Sequence, residues 1–287
     1  HCYQCSPSWS IFALCPTLVT GILYINANDI IWELSTSQPD SLTIYFLSMK
    51  QSNVYLIPDL IPSEASIQDS CCVVIDVLRA TTTMITALGN GAQSITPVLT
   101  VEVAREVARN TNGLLGGERD CVKLPGFDFG NSPAEYTAER VGGQNIIMTT
   151  TNGTRAIMAC LKSNKTLIAA FANLSAVIRH IADEPKLNII CAGTNGEITL
   201  EDTLLAGAIV SSRNASEFND QALLARQLWA PCVPASGQAY VFDTLLQSRG
   251  GKNLQQAGMV SDIELCATLD THTILPILSP QTKTLQL

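Results

Sequence analysis

The chain has 287 residues, of which 46% are hydrophobic and 15% are charged, and its net charge is −8. This hydrophobic content supports a folded core and excludes an intrinsically disordered or collagen-like chain. The acidic balance argues against a nucleic-acid partner and against an anionic membrane, because both need an excess of Lys and Arg. A local site for a small anion remains open, since a few arginines and helix N-termini suffice.

The first 48 residues differ in composition from the rest. They contain no Lys or Arg, and the first methionine is Met49. The apolar stretch 9–25 is interrupted by Pro16, is marginal in length for a transmembrane helix and lacks the basic start of a signal peptide. We expect 1–48 to be an extension and 49–287 to be the functional α/β domain, with room for two subdomains. An atypical membrane or targeting segment is the alternative.

Beyond Met49, short apolar segments alternate with amphipathic ones. The pattern predicts strands at 72–77, 94–98, 146–149, 166–170, 189–192 and 273–278. It predicts helices at 81–88, 101–109, 155–161, 174–182, 202–211, 221–228, 239–247 and 262–269. The alternation predicts an α/β protein with a largely parallel sheet flanked by helices in three α/β/α layers.

Three local features complete this prediction. The Gly- and Pro-rich segment 113–133 is typical of a long irregular connection. Asn173 is a candidate N-cap, and Ser261 with Glu264 has the spacing of a capping box. Four cysteines lie in apolar runs, which predicts buried free thiols in a reducing cytoplasm: Cys71, Cys160, Cys191 and Cys266.

The first strand ends in a polar turn. Asp76 ends the apolar run, Arg79 follows, and threonines 81–83 open the next helix. A helix N-terminus with hydroxyl donors can bind an anion, and Asp76 can ligate a hard cation, attack phosphorus or orient water. The alternative is that Asp76 pairs with Arg79 and that Thr81 only caps the helix.

Other predicted strand ends are also polar. Residues 149–155 combine threonines, Asn152, Gly153 and Arg155, a set suited to a phosphate or sulfonate. Residues 193–197 precede Glu201 and Asp202, which offer carboxylates for a metal or a proton, or merely favour the helix dipole. Since ligands bind beyond the carboxyl ends of such strands, these clusters predict a site for a multiply anionic small molecule with a divalent metal.

Several motifs, in this order along the chain, resemble the 2-phosphosulfolactate phosphatase family. They are residues 74–83 (VIDVLRATTT), 116–119 (GGER), 128–133 (DFGNSP), 149–155 (TTTNGTR), 192–196 (AGTNG), 200–202 (LED), 248–254 (SRGGKNL) and 262–267 (DIELCA). The resemblance extends from about Met49 to Leu278.

The resemblance implies a Mg2+-dependent phosphatase that converts 2-phospho-3-sulfolactate and water to 3-sulfolactate and phosphate. This step belongs to coenzyme M or sulfolactate biosynthesis. It also implies a homodimer with the family's own α/β fold. A substrate with a phosphate, a carboxylate and a sulfonate requires several Arg, Thr and amide donors, and Mg2+ would stabilise charge on the transferred oxygens.

We assign candidate roles on this basis. The catalytic carboxylates are predicted to be Asp76, Glu118 and Glu201, and the metal ligands Asp76 and Asp202. The substrate-binding residues are predicted to be Arg79, Thr81, Thr82, Arg119, Asn131, Thr150, Asn152, Thr154, Arg155, Asn195 and Arg249. Two alternatives remain: a phosphatase for another small 2-phospho-acid, and a non-catalytic anion-binding protein of the same fold.

Overall fold

The computed structural model describes residues 20–26, 29–35, 43–47, 50–232 and 237–287. In the first 48 residues, β1 (Thr20–Asn26), β2 (Asp29–Ser35) and β3 (Thr43–Leu47) form a three-stranded antiparallel sheet, which the composition did not indicate. Among the described strands, none of these three pairs with the larger sheet. The apolar stretch 9–25 lies mostly outside the described residues. That 1–48 is an extension stays a prediction.

The larger sheet has eleven strands among the described residues. They are β4 (Gln51–Tyr55), β5 (Cys71–Ile75), β6 (Ser94–Pro97), β7 (Leu114–Arg119), β8 (Val122–Lys123), β9 (Asn145–Thr149), β10 (Lys165–Ala169), β11 (Lys186–Cys191), β12 (Glu217–Phe218), β13 (Ile277–Leu278) and β14 (Leu285–Gln286). Their order across the sheet is β12-β4-β11-β5-β10-β13-β14-β6-β9-β7-β8.

Most of this sheet is parallel, as predicted. The strands β12, β4, β11, β5 and β10 form one parallel group, and β6, β9 and β7 form another. The short strands β13 and β14 join the two groups through antiparallel pairs. The C-terminal segment therefore connects the two halves of the sheet.

Eleven α-helices lie in the described part of the chain. They are α1 (Glu64–Ile67), α2 (Ala80–Gly89), α3 (Val101–Thr111), α4 (Ala138–Val141), α5 (Gly153–Ala159), α6 (Leu174–Ile181), α7 (Leu200–Ser211), α8 (Asp220–Trp229), α9 (Gly237–Gln247), α10 (Arg249–Gln256) and α11 (Val260–Ala267). Within the described ranges, no helix combines the length and the apolar character needed to cross a membrane.

The central strand β5 explains why helices flank the sheet. Every residue of β5 is buried, and successive side chains point to opposite faces. Val73 and Ile75 belong to a core that includes residues of α6, α7, α9 and α11. Cys72 and Val74 belong to a second core that includes residues of α2 and α5. A strand buried on both faces needs apolar residues throughout. This is why β5 is a continuous apolar run rather than an alternation of apolar and polar residues.

Two local predictions were wrong, and a third was confirmed only in part. Segment 113–133 is not irregular throughout, because it contains β7 and β8. Helix α11 begins after Met259, so Ser261 and Glu264 form no capping box. Asn173 is the N-cap residue of α6, as predicted, but its side chain makes no capping hydrogen bond and its Oδ1 instead accepts from the backbone N–H of Ala170.

The closing strand is shorter than predicted, and one helix was missed. The closing strand is limited to Ile277–Leu278, because it pairs with β10 only at Thr166 and Leu167. Helix α10 was not predicted, since Gly250 and Gly251 lower its intrinsic helix propensity. Both glycines are buried, which indicates that tertiary packing stabilises this helix. The four cysteines predicted to be buried are buried and free.

Candidate active site

A polar cavity of about 70 Å³ lies where the segments after β5, β7, β9 and β11 meet. One water needs roughly 10–15 Å³ of such space, so the cavity accepts several waters or a small polar molecule. Its lining consists of Asp76, Leu78, Arg79, Glu118, Asp120, Cys121, Asn131, Thr151, Asn152, Thr194, Asn195, Gly250, Asn253 and Leu254. Six of the predicted site residues therefore meet here: Asp76, Arg79, Glu118, Asn131, Asn152 and Asn195.

Asp76 is held rigidly at the carboxyl end of β5. Its Oδ1 accepts a hydrogen bond from the backbone N–H of Ala80 at 3.1 Å. Its own backbone N–H donates to Oγ1 of Thr81 at 3.0 Å, and that hydroxyl donates back to the carbonyl of Asp76 at 2.8 Å. A Cβ on Gly153 would lie 2.7 Å from Oδ2 of Asp76, so α5 and β5 meet closely at this carboxylate.

Burial raises the pKa of Asp76 to about 7, and the negative charges of Glu118 and Glu201 add to the shift. The N–H of Ala80 acts in the opposite direction. A buried carboxylate near two others is costly unless a proton or a cation compensates its charge. Strongly perturbed acids of this kind are typical of functional sites.

Glu118 places a second carboxylate in the cavity wall. It lies in β7 and is 8% exposed. Its Oε1 accepts hydrogen bonds from the backbone N–H and the hydroxyl of Thr151, at 3.1 and 3.2 Å. Its Oε2 accepts from the N–H of Cys121 at 3.0 Å. The carboxylate thus joins the ends of β7 and β9 while still facing the cavity.

Asp202 was predicted to be a metal ligand, but both of its carboxylate oxygens accept hydrogen bonds from the backbone. Its Oδ1 accepts from the N–H of Val77 at 2.9 Å, and its Oδ2 accepts from the N–H of Gly193 at 3.0 Å. It does not line the cavity. Burial, followed by the charges of Glu201 and Asp76, holds the pKa of Asp202 well above its usual range. Asp202 therefore ties the end of β5 to the end of β11.

Glu201 is also buried and lies outside the cavity lining. A Cβ on Gly250 would clash with its Oε1, so α10 packs directly on this carboxylate. Its Oε2 has no hydrogen-bond partner among the described residues. Burial raises the pKa of Glu201. The geometry supports an electrostatic influence on Asp76 rather than contact with a ligand in the cavity.

The hydroxyls of the four threonines predicted to bind substrate form hydrogen bonds with backbone groups. Thr81 bonds to Asp76, and Thr82 donates to the carbonyl of Val77 at 2.8 Å. Thr150 and Thr154 bond reciprocally, each hydroxyl accepting from the other residue's N–H. None of these four residues lines the cavity. Short hydroxyl side chains close to turn amides satisfy those amides first, which the sequence pattern does not reveal.

The four predicted arginines have different positions. Arg79 lines the cavity and forms a buried ion pair with Asp262, so the alternative that it pairs with Asp76 is wrong. Arg119 donates to the carbonyl of Glu118 and to the backbone and side chain of Thr149. The other two are partly exposed: Arg155 pairs with Asp59 and Arg249 with Glu197. Arg119, Arg155 and Arg249 do not line the cavity.

Four asparagines supply amide groups to the cavity. Asn131 is 6% exposed, and its Oδ1 has no hydrogen-bond partner among the described residues. Asn152 accepts a hydrogen bond from the N–H of Asn195 at 3.0 Å, so the two similar TNG turns contact each other. The lining residue Asn253 was missed as a candidate, although the motif at 248–254 had been singled out.

The cavity residues fit Mg2+ with few protein ligands. Mg2+ typically takes one or two carboxylates and completes its shell with water and substrate oxygens. Asp76 would supply a carboxylate, and the unpartnered Oδ1 of Asn131 would supply a neutral oxygen. Across the described ranges, no group of three or more His, Cys, Asp or Glu side chains has an arrangement that could hold a metal. A cation here would therefore depend largely on water and substrate.

Comparison with known proteins places the chain in a family. A family model described as 2-phosphosulpholactate phosphatase matches residues 55–281. A probable 2-phosphosulfolactate phosphatase of Symbiobacterium thermophilum is 44% identical over 225 residues, covering 76% of this chain and 94% of the relative. Proteins of the same name from Thermotoga petrophila and Clostridium perfringens are 41% and 38% identical, covering 72% and 75% of this chain and 88% of each relative. The chain belongs to the 2-phosphosulfolactate phosphatase family.

Proposed function

We propose that this protein is a phosphoric monoester hydrolase that converts 2-phospho-3-sulfolactate and water to 3-sulfolactate and phosphate with Mg2+. Family membership supports the reaction class. The observation that carries the proposal is the cavity in which Asp76 and Glu118 face a cluster of amide donors. All the lining residues lie within the segment that matches the family.

The charges of the cavity support a requirement for a cation. Three carboxylates line it: Asp76, Glu118 and Asp120. The one basic residue in the described lining, Arg79, is already paired with Asp262. A substrate with three anionic groups would be repelled by this wall unless a divalent cation offset the charge. Bound Mg2+ would supply that offset and stabilise the charge on the transferred phosphoryl group.

The residues of the chain would divide the remaining work. Asp76 and the amide oxygen of Asn131 hold the cation, and the amides of Asn152, Asn195 and Asn253 bind substrate oxygens. Glu118 orients the attacking water and accepts its proton. The water oxygen forms the new bond to phosphorus while the ester P–O bond breaks. The ester oxygen then takes up the proton as the hydroxyl of 3-sulfolactate.

A direct assay tests this proposal. Phosphate release from racemic 2-phosphosulfolactate is measured with Mg2+ and with EDTA, in parallel with phospholactate and phosphoglycolate. Release that requires Mg2+ and is fastest with phosphosulfolactate supports the proposal. Faster turnover of another acid favours the alternative substrate. Tight substrate binding without phosphate release favours a non-catalytic binding protein.

We further propose that the enzyme acts as a cytoplasmic homodimer in coenzyme M or sulfolactate biosynthesis. Exposed leucines, among them Leu223 and Leu224 of α8, provide apolar surface of the kind that oligomer interfaces use. Light scattering on the purified chain measures its mass in solution, and a monomeric mass would contradict the homodimer.

A further inference from the structure

Asp262 is a buried carboxylate that contacts the lining residue Arg79 and the loop of the lining residue Asn131, without lining the cavity itself. Its Oδ2 lies 2.5 Å from Nη1 of Arg79, and its Oδ1 accepts a hydrogen bond from the hydroxyl of Ser132 at 2.7 Å. The side chains of Arg79 and Asp262 are only 2% and 5% exposed. Burying two ions is costly, so the pair persists only where the geometry compensates for lost hydration.

The two contacts of Asp262 have different targets. Arg79 follows β5 closely and lines the cavity, and its Nη2 also reaches the carbonyl of Cys121 at 3.3 Å. Ser132 directly follows Asn131, whose buried Oδ1 lacks a partner among the described residues. The carbonyl of Asn131 is also held, because it accepts from the hydroxyl of Thr83 at 2.9 Å. Asp262 thus links the Arg79 guanidinium to the loop that carries the unpartnered amide oxygen of Asn131.

We propose that Asp262 is a positioning residue that holds the Arg79 guanidinium and the loop of Asn131 in the geometry that receives the substrate. It occupies Nη1 of Arg79 and directs the rest of the guanidinium to the cavity wall. It also restrains the loop of Asn131 through Ser132. This role rests on the proposed function, because Arg79 lines the cavity proposed to receive the phosphoester and Asn131 is proposed to hold its cation.

The central test uses the isosteric variant Asp262→Asn in the full-length chain. The amide oxygen can still accept from Ser132, whereas the charge that holds Arg79 is lost. We expect kcat/KM to fall by about 10- to 100-fold, because a small displacement of a substrate-binding group has effects of this size. Ser132→Ala removes only the other contact and is expected to lower kcat/KM by about threefold to tenfold.

A matched control is Asp270→Asn. Asp270 also uses both carboxylate oxygens, accepting from the N–H and the hydroxyl of Ser175 at 2.7 and 2.6 Å, but it lies outside the cavity lining. Its φ is +54°, a conformation that Asn tolerates well. We expect its kcat/KM to remain within about twofold of wild type. An equal loss in Asp262→Asn and Asp270→Asn would overturn the proposal.

A double-variant cycle separates positioning from general support of the fold. If Asp262 acts through Arg79, Asp262→Asn should add little once Arg79→Gln has removed the guanidinium. We expect the double variant to have a kcat/KM within about threefold of Arg79→Gln alone. Losses that multiply independently would overturn the proposal. Thermal unfolding of each variant identifies any that fail to fold. If Asp262→Asn fails to fold, the kcat/KM of Ser132→Ala relative to wild type decides whether the proposal holds.

Cys121 provides a readout that does not depend on turnover. Cys121 is partly exposed, and it is the one cysteine of the described residues that is not buried. Its carbonyl accepts from Arg79, so displacement of Arg79 should loosen this turn. We expect alkylation of Cys121 by iodoacetamide, measured by peptide mass spectrometry, to be at least about threefold faster in Asp262→Asn and unchanged in Asp270→Asn.

These two readouts distinguish the possible failures. If the wild type releases no phosphate but alkylation of Cys121 still accelerates in Asp262→Asn, the proposed function fails and the positioning of Arg79 stands. If the wild type is active and neither kcat/KM nor alkylation changes in Asp262→Asn, the proposed function stands and the positioning role is overturned.

Discussion

The units β5–α2 and β9–α5 have similar turns but contribute differently to the cavity. Each has threonines and an arginine close to the junction between a buried strand and a helix. Arg79 precedes the first residue of α2 and lines the cavity, whereas Arg155 is the third residue of α5 and pairs with the exposed Asp59 at 3.4 Å. Arg79 is the N-cap residue of α2 and has non-helical backbone angles, whereas Arg155 lies within the first turn of α5. The position of an arginine relative to the helix start therefore matters more than its presence.

The two units are also packed against each other. A Cβ on Gly153 would lie 2.6 Å from the Cβ of Ala80 and 2.7 Å from Oδ2 of Asp76. The first unit thus supplies the carboxylate, and the second supplies a backbone that can approach it closely. Four predictions test this division of roles, beginning with the largest expected effect.

Asp76→Asn should have the largest effect. The amide oxygen can still accept from the N–H of Ala80, but the negative charge in the cavity is lost. We expect kcat to fall by about 10³-fold, as is typical when a charged catalytic group is removed. Steady-state phosphate release measures this, with Asp59→Asn as a surface control. Turnover within about tenfold of wild type would exclude Asp76 as the principal carboxylate.

Gly153→Ala tests the contact between the two units. The added methyl group must displace Ala80 or the carboxylate of Asp76, since both lie closer than normal van der Waals distance. We expect a loss of about 1–3 kcal/mol in the free energy of unfolding, as for other overpacked sites. We also expect kcat/KM to fall by about 10- to 100-fold. Wild-type values for both would show that α5 moves freely relative to β5.

The stability of the metal-free protein should decrease as the pH rises from about 4 to about 7. The pKa of Asp76 is about 7 in the folded state, above the value of about 3.9 for an unfolded chain, so the folded state binds the extra proton in this window. One such group changes the free energy of unfolding by up to about 1.4 kcal/mol per pH unit. Urea unfolding in EDTA measures this slope.

The variant Asp76→Asn supplies the control for this pH dependence. It removes the group, so its slope should be shallower than that of wild type, and in EDTA at about pH 8 it should be more stable than wild type. Asp59→Asn should retain the wild-type slope. A wild-type stability that rises with pH through this window would contradict the assignment of a raised pKa to Asp76.

Arg155→Ala should have the smallest effect. Arg155 and Asp59 are half-exposed or more, and such pairs contribute about 0–1 kcal/mol. Since Arg155 does not line the cavity, we expect kcat/KM to remain within about threefold of wild type. A loss comparable to that of Gly153→Ala would restore Arg155 to the substrate-binding role that the sequence suggested.

The sequence by itself determined the alternation of strands and helices and the clustering of the site at strand ends. Continuous apolar runs such as Cys72–Ile75 are detectable because strands buried on both faces require them. The position of Asp76 immediately after such a run predicted its place in the cavity. The family motifs are local stretches of chain, so the resemblance could be found without coordinates.

Only the tertiary structure decided which polar groups face the cavity. The hydroxyls of Thr81 and Thr154 satisfy turn amides, and Asp202 bonds to two strand ends distant in sequence. Asp262 reaches Arg79 across 183 residues. A carboxylate or hydroxyl near the site has the same sequence signature whether it binds the backbone or a ligand. Its partner is selected by long-range packing, because buried polar groups must be satisfied where the fold places them.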